Sequence, residues 1–184
     1  MTRSNLVSVT RKVTLTPVAF STWQSQSYAF TLGVLPNYTE FTNLFEQYRI
    51  NAIKLMFIPA FNGVEGNTSA TVLAQPRLYT IIDKDGNAQT SSETDMQQYG
   101  NARLIREPSK SFTIYIKKPS VQMGTANALT IVGGAPRSSP WLDCDNYQVQ
   151  HWGCAIGGIM PFTTAGSATY SVVATYYMQF KNVV

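Results

Sequence analysis

The 184-residue sequence predicts an all-β fold, namely an eight-stranded antiparallel two-sheet sandwich (a single jelly roll) with a short helix and long inter-strand loops. Hydrophobic residues make up 44% of the chain and charged residues only 13%, which excludes intrinsic disorder and a long coiled coil. Apolar and polar residues alternate with a period of two in several segments, as in half-buried strands. Clusters of Gly, Pro, Asn and Asp separate these segments as turns.

The first third of the chain contains three predicted strands and the helix. Residues 6–16 alternate cleanly, and Pro17 is expected to end this strand. Residues 26–32 form the second strand. In residues 36–47 the apolar side chains follow helical spacing, which predicts a short helix. Residues 48–58 return to the period of two and form the third strand.

Five more strands are predicted by the same alternation, over residues 77–82, 102–107, 111–118, 148–160 and 168–181. Residues 83–87 form a turn, which is a better account of their Asp-x-Asp-Gly pattern than an incomplete calcium loop. Residues 90–100 are a polar loop with a helical turn. Residues 119–145 are rich in Pro and Gly and form the longest irregular segment, which favours a functional or interface role. All these elements fit one jelly-roll domain over residues 1–184.

Charge and hydropathy narrow the classes of function. The net charge of +4 favours an anionic partner. Residues 1–20 lack the apolar run of a secretory signal, and no later segment has 18 consecutive apolar residues, so no membrane partner is expected. Two cysteines are too few for a disulfide scaffold.

Three passages carry a family resemblance. They are FTNLFEQYRINAIKLMFIP at residues 41–59, PWLD at 140–143 followed by HWG at 151–153, and YSVVATYYMQFK at 170–181. In order and spacing they resemble capsid proteins of circular Rep-encoding single-stranded DNA viruses, the circovirus-like group. The resemblance covers most of residues 28–181. It implies a non-enzymatic coat protein that assembles with itself into a small icosahedral shell, T=1 with 60 copies, around circular single-stranded DNA. It also implies localisation in the virion and, during assembly, in the host nucleus.

The N-terminus departs from the pattern of this group, whose capsid proteins usually begin with an Arg-rich arm that packages DNA and directs nuclear import. Residues 1–12 hold only three cationic residues, Arg3, Arg11 and Lys12. Two explanations are open: the arm has been removed by truncation, or the protein neutralises its genome by other means. The three cations are assigned to nucleic-acid binding.

A second group of cations is expected on the inner surface of the shell. If the eight strands are named B to I in chain order, a jelly roll places B, I, D and G side by side. Their outward faces then carry Lys12, Lys181, Lys54 and Lys117, with Tyr115 and Tyr177 between them. Lysines interleaved with aromatic rings neutralise phosphates and stack bases without reading sequence. The alternative is that these lysines only solvate an outer face.

Contacts between subunits are assigned to Trp23, Trp141 and Arg137, because aromatic residues and Arg are enriched in buried interfaces. Trp141 and Arg137 lie in the long Pro- and Gly-rich segment, where a core role is hard to arrange. A host-cell receptor, whose identity the sequence leaves unknown, is expected on the outward loops at 62–70, 83–100 and 119–140.

The remaining candidates for chemistry are weak. Cys144, His151 and Cys154 have the spacing Cys-x6-His-x2-Cys, which lacks the paired units of zinc sites. A thiol nucleophile would need a base and an orienting group, and Cys154 fits better as a small buried side chain. We therefore expect no metal, no cofactor and no enzyme. The alternative function is a carbohydrate-binding β-sandwich of the lectin type, against which the missing export signal argues.

Overall fold

The computed structural model describes residues 6–60, 75–86, 90–122, 136–160 and 167–183. Two antiparallel sheets pack against each other, and the predicted all-β jelly roll is confirmed. No helix in these ranges has the length and apolar character needed to cross a membrane. The strands are β1 (Val7–Phe20), β2 (Gln24–Phe30), β3 (Phe45–Pro59), β4 (Arg77–Ile81), β5 (Arg103–Leu104), β6 (Phe112–Lys117), β7 (Ser120–Gln122), β8 (Pro136–Ser138), β9 (Leu142–Asp143), β10 (His151–Ile159) and β11 (Ala168–Val183). The helices are α1 (Tyr38–Thr42) and α2 (Glu93–Gln97), with single 3₁₀ turns at Leu32–Val34 and Cys144–Asn146.

The first sheet has the strand order β1-β11-β3-β6, with β9 paired to the start of β3. These four strands are B, I, D and G of the sequence assignment, so the predicted neighbours are confirmed. In the second sheet β10 pairs with β2 on one side and β4 on the other, and β5 extends it beyond β4. The short strand β7 pairs with β10 at Trp152, near the start of β10, and β8 pairs with β7.

The core lies between the two sheets and is built mainly from aromatic and branched side chains. Tyr28 of β2 meets Phe57 of β3 edge to face, with ring centroids 5.9 Å apart. Phe30 meets Tyr176 of β11 in the same way at 6.1 Å. Such edge-to-face pairs across the sandwich fix the sheets in register beyond the area that they bury.

Two glycines of β10 leave space that neighbouring side chains fill. A Cβ atom on Gly153 of β10 would clash with the Ile116 side chain of β6, on the facing sheet. Gly158, also on β10, would meet Phe20 and Leu78. The absence of a side chain at these positions lets the facing residues fill the space.

Some predicted boundaries were wrong. The first strand does not end at Pro17 but runs to Phe20, with an irregularity in register between Leu15 and Val18. β1 is an edge strand, where proline does not cost a ladder hydrogen bond on the open side. The helix predicted over 36–47 is limited to α1, because residues from Phe45 onward pair with β11.

The second half also differs in detail from the prediction. The predicted strand at 102–107 contains only the two paired residues of β5, and the predicted strand at 148–160 begins as β10 at His151. The segment predicted as irregular, 119–145, contains β7, β8 and β9. The loop predicted at 62–70 and the part of the long segment at 123–135 lie outside the described residues.

Candidate nucleic-acid interface

The outward face of the first sheet carries the four predicted lysines, three of them in two neighbouring rows. Strand register places Lys12, Thr175, Lys54 and Tyr115 side by side, one from each of β1, β11, β3 and β6. Lys12 is exposed, Lys54 is half-buried and Tyr115 is 50% exposed. Since neighbouring strands lie about 4.8 Å apart, the backbones of Lys12 and Lys54 are separated by about 10 Å across the sheet.

The next row along the strands contains Tyr177 and Lys117. Thr10, Tyr177, Ala52 and Lys117 are its members. Tyr177 contacts Tyr115 of the first row edge to face, with ring centroids 6.2 Å apart. Lys181 lies further along β11 on the same face and is half-buried. We call Lys12, Lys54, Lys117, Lys181, Tyr115 and Tyr177 the cationic face.

The lysines of the cationic face form no salt bridge in the described part of the chain. Within the described part of the chain the two salt bridges lie elsewhere, between Arg77 and Glu93 at 2.9 Å and between Lys110 and Glu107 at 3.1 Å. None of the four lysines has a carboxylate partner among the described residues. Unpaired like charges on one surface repel each other, and an anionic partner relieves that repulsion.

Sequence reasoning missed Arg49, which lies on the same face. The alternation of residues 48–58 would turn Arg49 inward. In the structure the pairing of β3 with β11 skips Asn51, since Ala52 pairs with Tyr177 and Ile50 with Met178. This bulge reverses the faces of the residues before it, so Arg49 points outward beside Gln179.

Trp141 lies over Arg49 and Lys181. The Arg49 Cζ atom is 4.6 Å from the indole centroid, and the Lys181 Nζ atom is 4.5 Å from it. Both distances are within the range of cation–π attraction. Trp141 itself is half-buried, just before β9.

The structure does not bring all the other predicted residues to this face. Arg3 lies outside the described residues. Arg11 points to the opposite face of β1 from Lys12, with its Cζ atom 5.2 Å from the centroid of the Phe41 ring. Trp23, predicted at a subunit contact, is half-buried, and its Nε1 donates to the Thr90 carbonyl at 3.0 Å. Arg137 is exposed on β8.

The cysteine and histidine candidates are buried core residues. Both cysteines are free thiols, and burial raises the pKa of Cys144 to about 11 and that of Cys154 still further. Few thiolates therefore form at neutral pH, which disfavours a nucleophile. Cys154 is 1% exposed and packs in the core, as predicted. No group of three His, Cys, Asp or Glu side chains in the described ranges is placed to hold a metal ion.

His151 is fully buried on β10. Its Nδ1 atom lies 3.0 Å from the Val149 carbonyl and 3.2 Å from the Phe30 carbonyl. Both carbonyls are acceptors, so the proton sits on Nδ1. Nε2 is buried and meets no hydrogen-bond partner in the described part of the chain. Burial lowers the pKa of His151 to about 4, so the ring is neutral at pH 7.

The turn predicted at 83–87 is described over residues 83–86, where the chain bends. The Asp83 Oδ1 atom accepts the backbone N–H groups of Asp85 and Gly86, both at 3.1 Å. Gly86 has a φ of +76°, in the left-handed region that favours glycine, and it packs against the Trp152 ring. Asp83 therefore stabilises the backbone of this turn.

Comparison with known proteins places the fold among viral coat proteins. The model of the family described as circovirus capsid protein matches residues 1–184. No curated protein sequence matches the chain. The BFDV capsid protein solved as a 60-mer has a TM-score of 0.65 at 17% identity, covering 98% of this chain and 94% of that chain. The same protein solved as a decamer gives 0.57 at 18%, covering 97% and 99%.

More distant structures share the fold as well. The semi-empty VLP of the nodavirus from the giant freshwater prawn Macrobrachium rosenbergii has a TM-score of 0.58 at 12% identity, covering 100% of this chain and 87% of that chain. At such low identity these structures show a common jelly roll and nothing about individual residues.

Proposed function

Because the chain belongs to the circovirus capsid protein family, we propose that sixty copies of it assemble into a T=1 icosahedral shell that encloses circular single-stranded DNA. As a viral capsid protein it is a component of the virion. The 60-mer of the BFDV capsid protein, which has the same fold, supports the shell geometry. The role is structural, with no catalytic step, and one jelly-roll domain spans residues 1–184.

The cationic face carries the DNA part of this proposal. Four lysines from four adjacent strands point to one side, with Tyr115 and Tyr177 between them and no carboxylate paired to them in the described chain. Such a surface attracts the phosphates of a single strand and offers rings to its bases, without sequence preference. We place this face on the inside of the shell.

Subunit contacts are proposed at the opposite sheet and at the loop ends of the sandwich. Arg137 is exposed on β8, at the end of the second sheet, where a neighbouring copy can reach it. Closed symmetry requires each such contact to repeat around an axis. A receptor on the host cell would meet the outward loops, and assembly in the host nucleus belongs to the same proposal.

Charge reversal in the first row of the cationic face tests the DNA contact. The double substitution Lys12→Glu and Lys54→Glu lies on the sheet surface and leaves the core untouched. Purified particles of this variant should contain clearly less nucleic acid, read from absorbance at 260 and 280 nm, because two charges change sign at the contact and its net charge falls by four units.

The matched control is Lys110→Glu, an exposed lysine outside this sheet that pairs only with Glu107. It should leave the nucleic-acid content unchanged. Equal nucleic-acid content in the double variant and the wild type would refute a contact at the cationic face. The control changes the net charge by two units and the double variant by four, so a loss about half as large in the control would show that only net charge matters.

A further inference from the structure

We propose that Trp141, Arg49 and Lys181 form a nucleotide subsite at the end of the cationic face, where one base of a single strand stacks on the indole and the adjoining phosphate lies beside the two cations. This inference rests on the proposed function and names three residues that together bind one nucleotide of the strand. It assigns Trp141 to the nucleic acid in place of the subunit contact expected from sequence.

The two cations lie close together on the sheet. Arg49 on β3 and Lys181 on β11 lie on neighbouring strands and on one face, because Arg49 pairs with Gln179 and Lys181 with Gln47. They are thus diagonal neighbours, which in an antiparallel pair are about 7 Å apart at the backbone. Both reach the ring of Trp141, at 4.6 and 4.5 Å.

The Arg49 side chain is held in place by Gln179. Its Nε and Nη2 atoms both donate to Oε1 of Gln179, at 2.9 and 2.6 Å. Nε2 of Gln179 in turn lies 3.4 Å from Oγ of Ser8. Two of the five guanidinium N–H bonds are thus used to hold the group in place, and the others are available for a phosphate. An arginine fixed in this way loses little entropy when it binds an anion.

The two cations outnumber the carboxylates that lie near them. Asp143 pairs with Gln47, which pairs with Lys181, so Asp143 lies two strands, about 10 Å, from Lys181 along one row, and its Oδ1 accepts the Asp145 N–H at 2.9 Å. It forms no salt bridge with Arg49 or Lys181 in the described chain. Two like charges held close together attract an anion, and the half-buried indole beside them is an aromatic surface on which a base can stack. A nucleotide supplies both, whereas a protein contact would have to bring a carboxylate and a ring to the same place.

The test is a titration of the 184-residue protein with a 30-nucleotide oligo(dT), in which binding is measured by tryptophan fluorescence. Stacking of a base on Trp141 quenches part of the emission. Trp141→Ala should weaken binding by about tenfold, since one stacked base is worth that factor or more. Trp141→Phe keeps a ring for stacking, so it should bind within about threefold of the wild type and yet lose that part of the quenching.

The cations are tested by the salt dependence of the same titration. Arg49→Gln and Lys181→Gln should each reduce the slope of log K against log salt concentration by about 0.7, the value for one phosphate contact on a single strand. Lys84→Gln is the matched control, because Lys84 is an exposed lysine in the turn after β4, outside the first sheet. It should leave both affinity and slope unchanged.

The outcomes separate this inference from the proposed function. Wild-type protein that fails to bind oligo(dT) overturns both. Wild-type binding that persists in Trp141→Ala, with unchanged quenching in Trp141→Phe, overturns the subsite alone. If Trp141→Ala binds oligo(dT) normally but forms no particles, the subsite is refuted and Trp141 contacts a neighbouring subunit instead. If Trp141→Ala does not fold, Trp141→Phe and the two charge variants decide the question.

Discussion

Mild acid is expected to destabilise the fold through one buried side chain, His151. The ring is buried in the core, and its Nδ1–H donates to two backbone carbonyls. Its Nε2 has no hydrogen-bond partner among the described residues. Burial lowers its pKa to about 4, against an ordinary value of about 6.5 in the unfolded chain. Between these values the unfolded chain binds a proton that the folded protein does not.

The sign and size of the effect follow from this difference in pKa. The free energy of unfolding is fully present above about pH 6.5 and falls as the pH falls toward 4, because protons bind preferentially to the unfolded state. The loss between pH 7 and pH 5 is about 2 kcal/mol. The sequence contains one histidine, and ordinary carboxyl groups titrate mostly below pH 5, so this window reports chiefly on His151.

The assay is urea unfolding at pH 7, 6 and 5, at one protein concentration because assembly adds to apparent stability. The comparison variant is His151→Asn, whose side-chain amide replaces the Nδ1–H donor but has no group that titrates in this range. The wild type should lose about 2 kcal/mol from pH 7 to pH 5 and the variant much less. A flat wild-type profile, or an equal fall in the variant, would refute the reasoning.

Three further predictions concern the core. Gly153→Ala should lower the free energy of unfolding by about 1–3 kcal/mol through overpacking against the facing sheet, whereas Gly100→Ala, with open space around its Cα, should not, as thermal unfolding would show. Tyr170→Phe removes a buried hydrogen bond of 2.8 Å to the Pro108 carbonyl and should lower the free energy of unfolding by about 1–2 kcal/mol. The Tyr176 hydroxyl has no partner in the described chain, so Tyr176→Phe should lower it by less than half of that, as measured by urea unfolding. Both free thiols should resist a thiol reagent until the protein unfolds, and rapid labelling of the native protein would contradict their burial.

The sheet order could be predicted because apolar and polar residues alternate in the strands of the first sheet. Alternation in β1, β3, β6 and β11 separates a buried from an outward set, and jelly-roll topology then fixes which strands are neighbours. The shared face of Lys12 and Lys54 follows from those two facts, whereas the register that places them in one row is seen only in the structure.

Arg49 and the position of Trp141 could not be predicted in the same way. A period-two reading assumes continuous pairing, and the single unpaired residue at Asn51 reverses the face of everything before it in β3. Trp141 belongs to no periodic pattern. Its place over Arg49 and Lys181 depends on the pairing of β9 with the start of β3, a tertiary contact between segments far apart in the chain. The extension of β1 past Pro17 was missed because an edge strand tolerates proline.

The mass of the purified protein in solution, measured by light scattering with absorbance at 260 and 280 nm on the same peak, tests the central claim most directly. Sixty copies of a 20.4 kDa chain give a particle of about 1.2 MDa. The account predicts that mass together with a raised 260 nm signal from enclosed nucleic acid. A 1.2 MDa particle without that signal would contradict the DNA contact at the cationic face, and a 20 kDa monomer would contradict the shell itself.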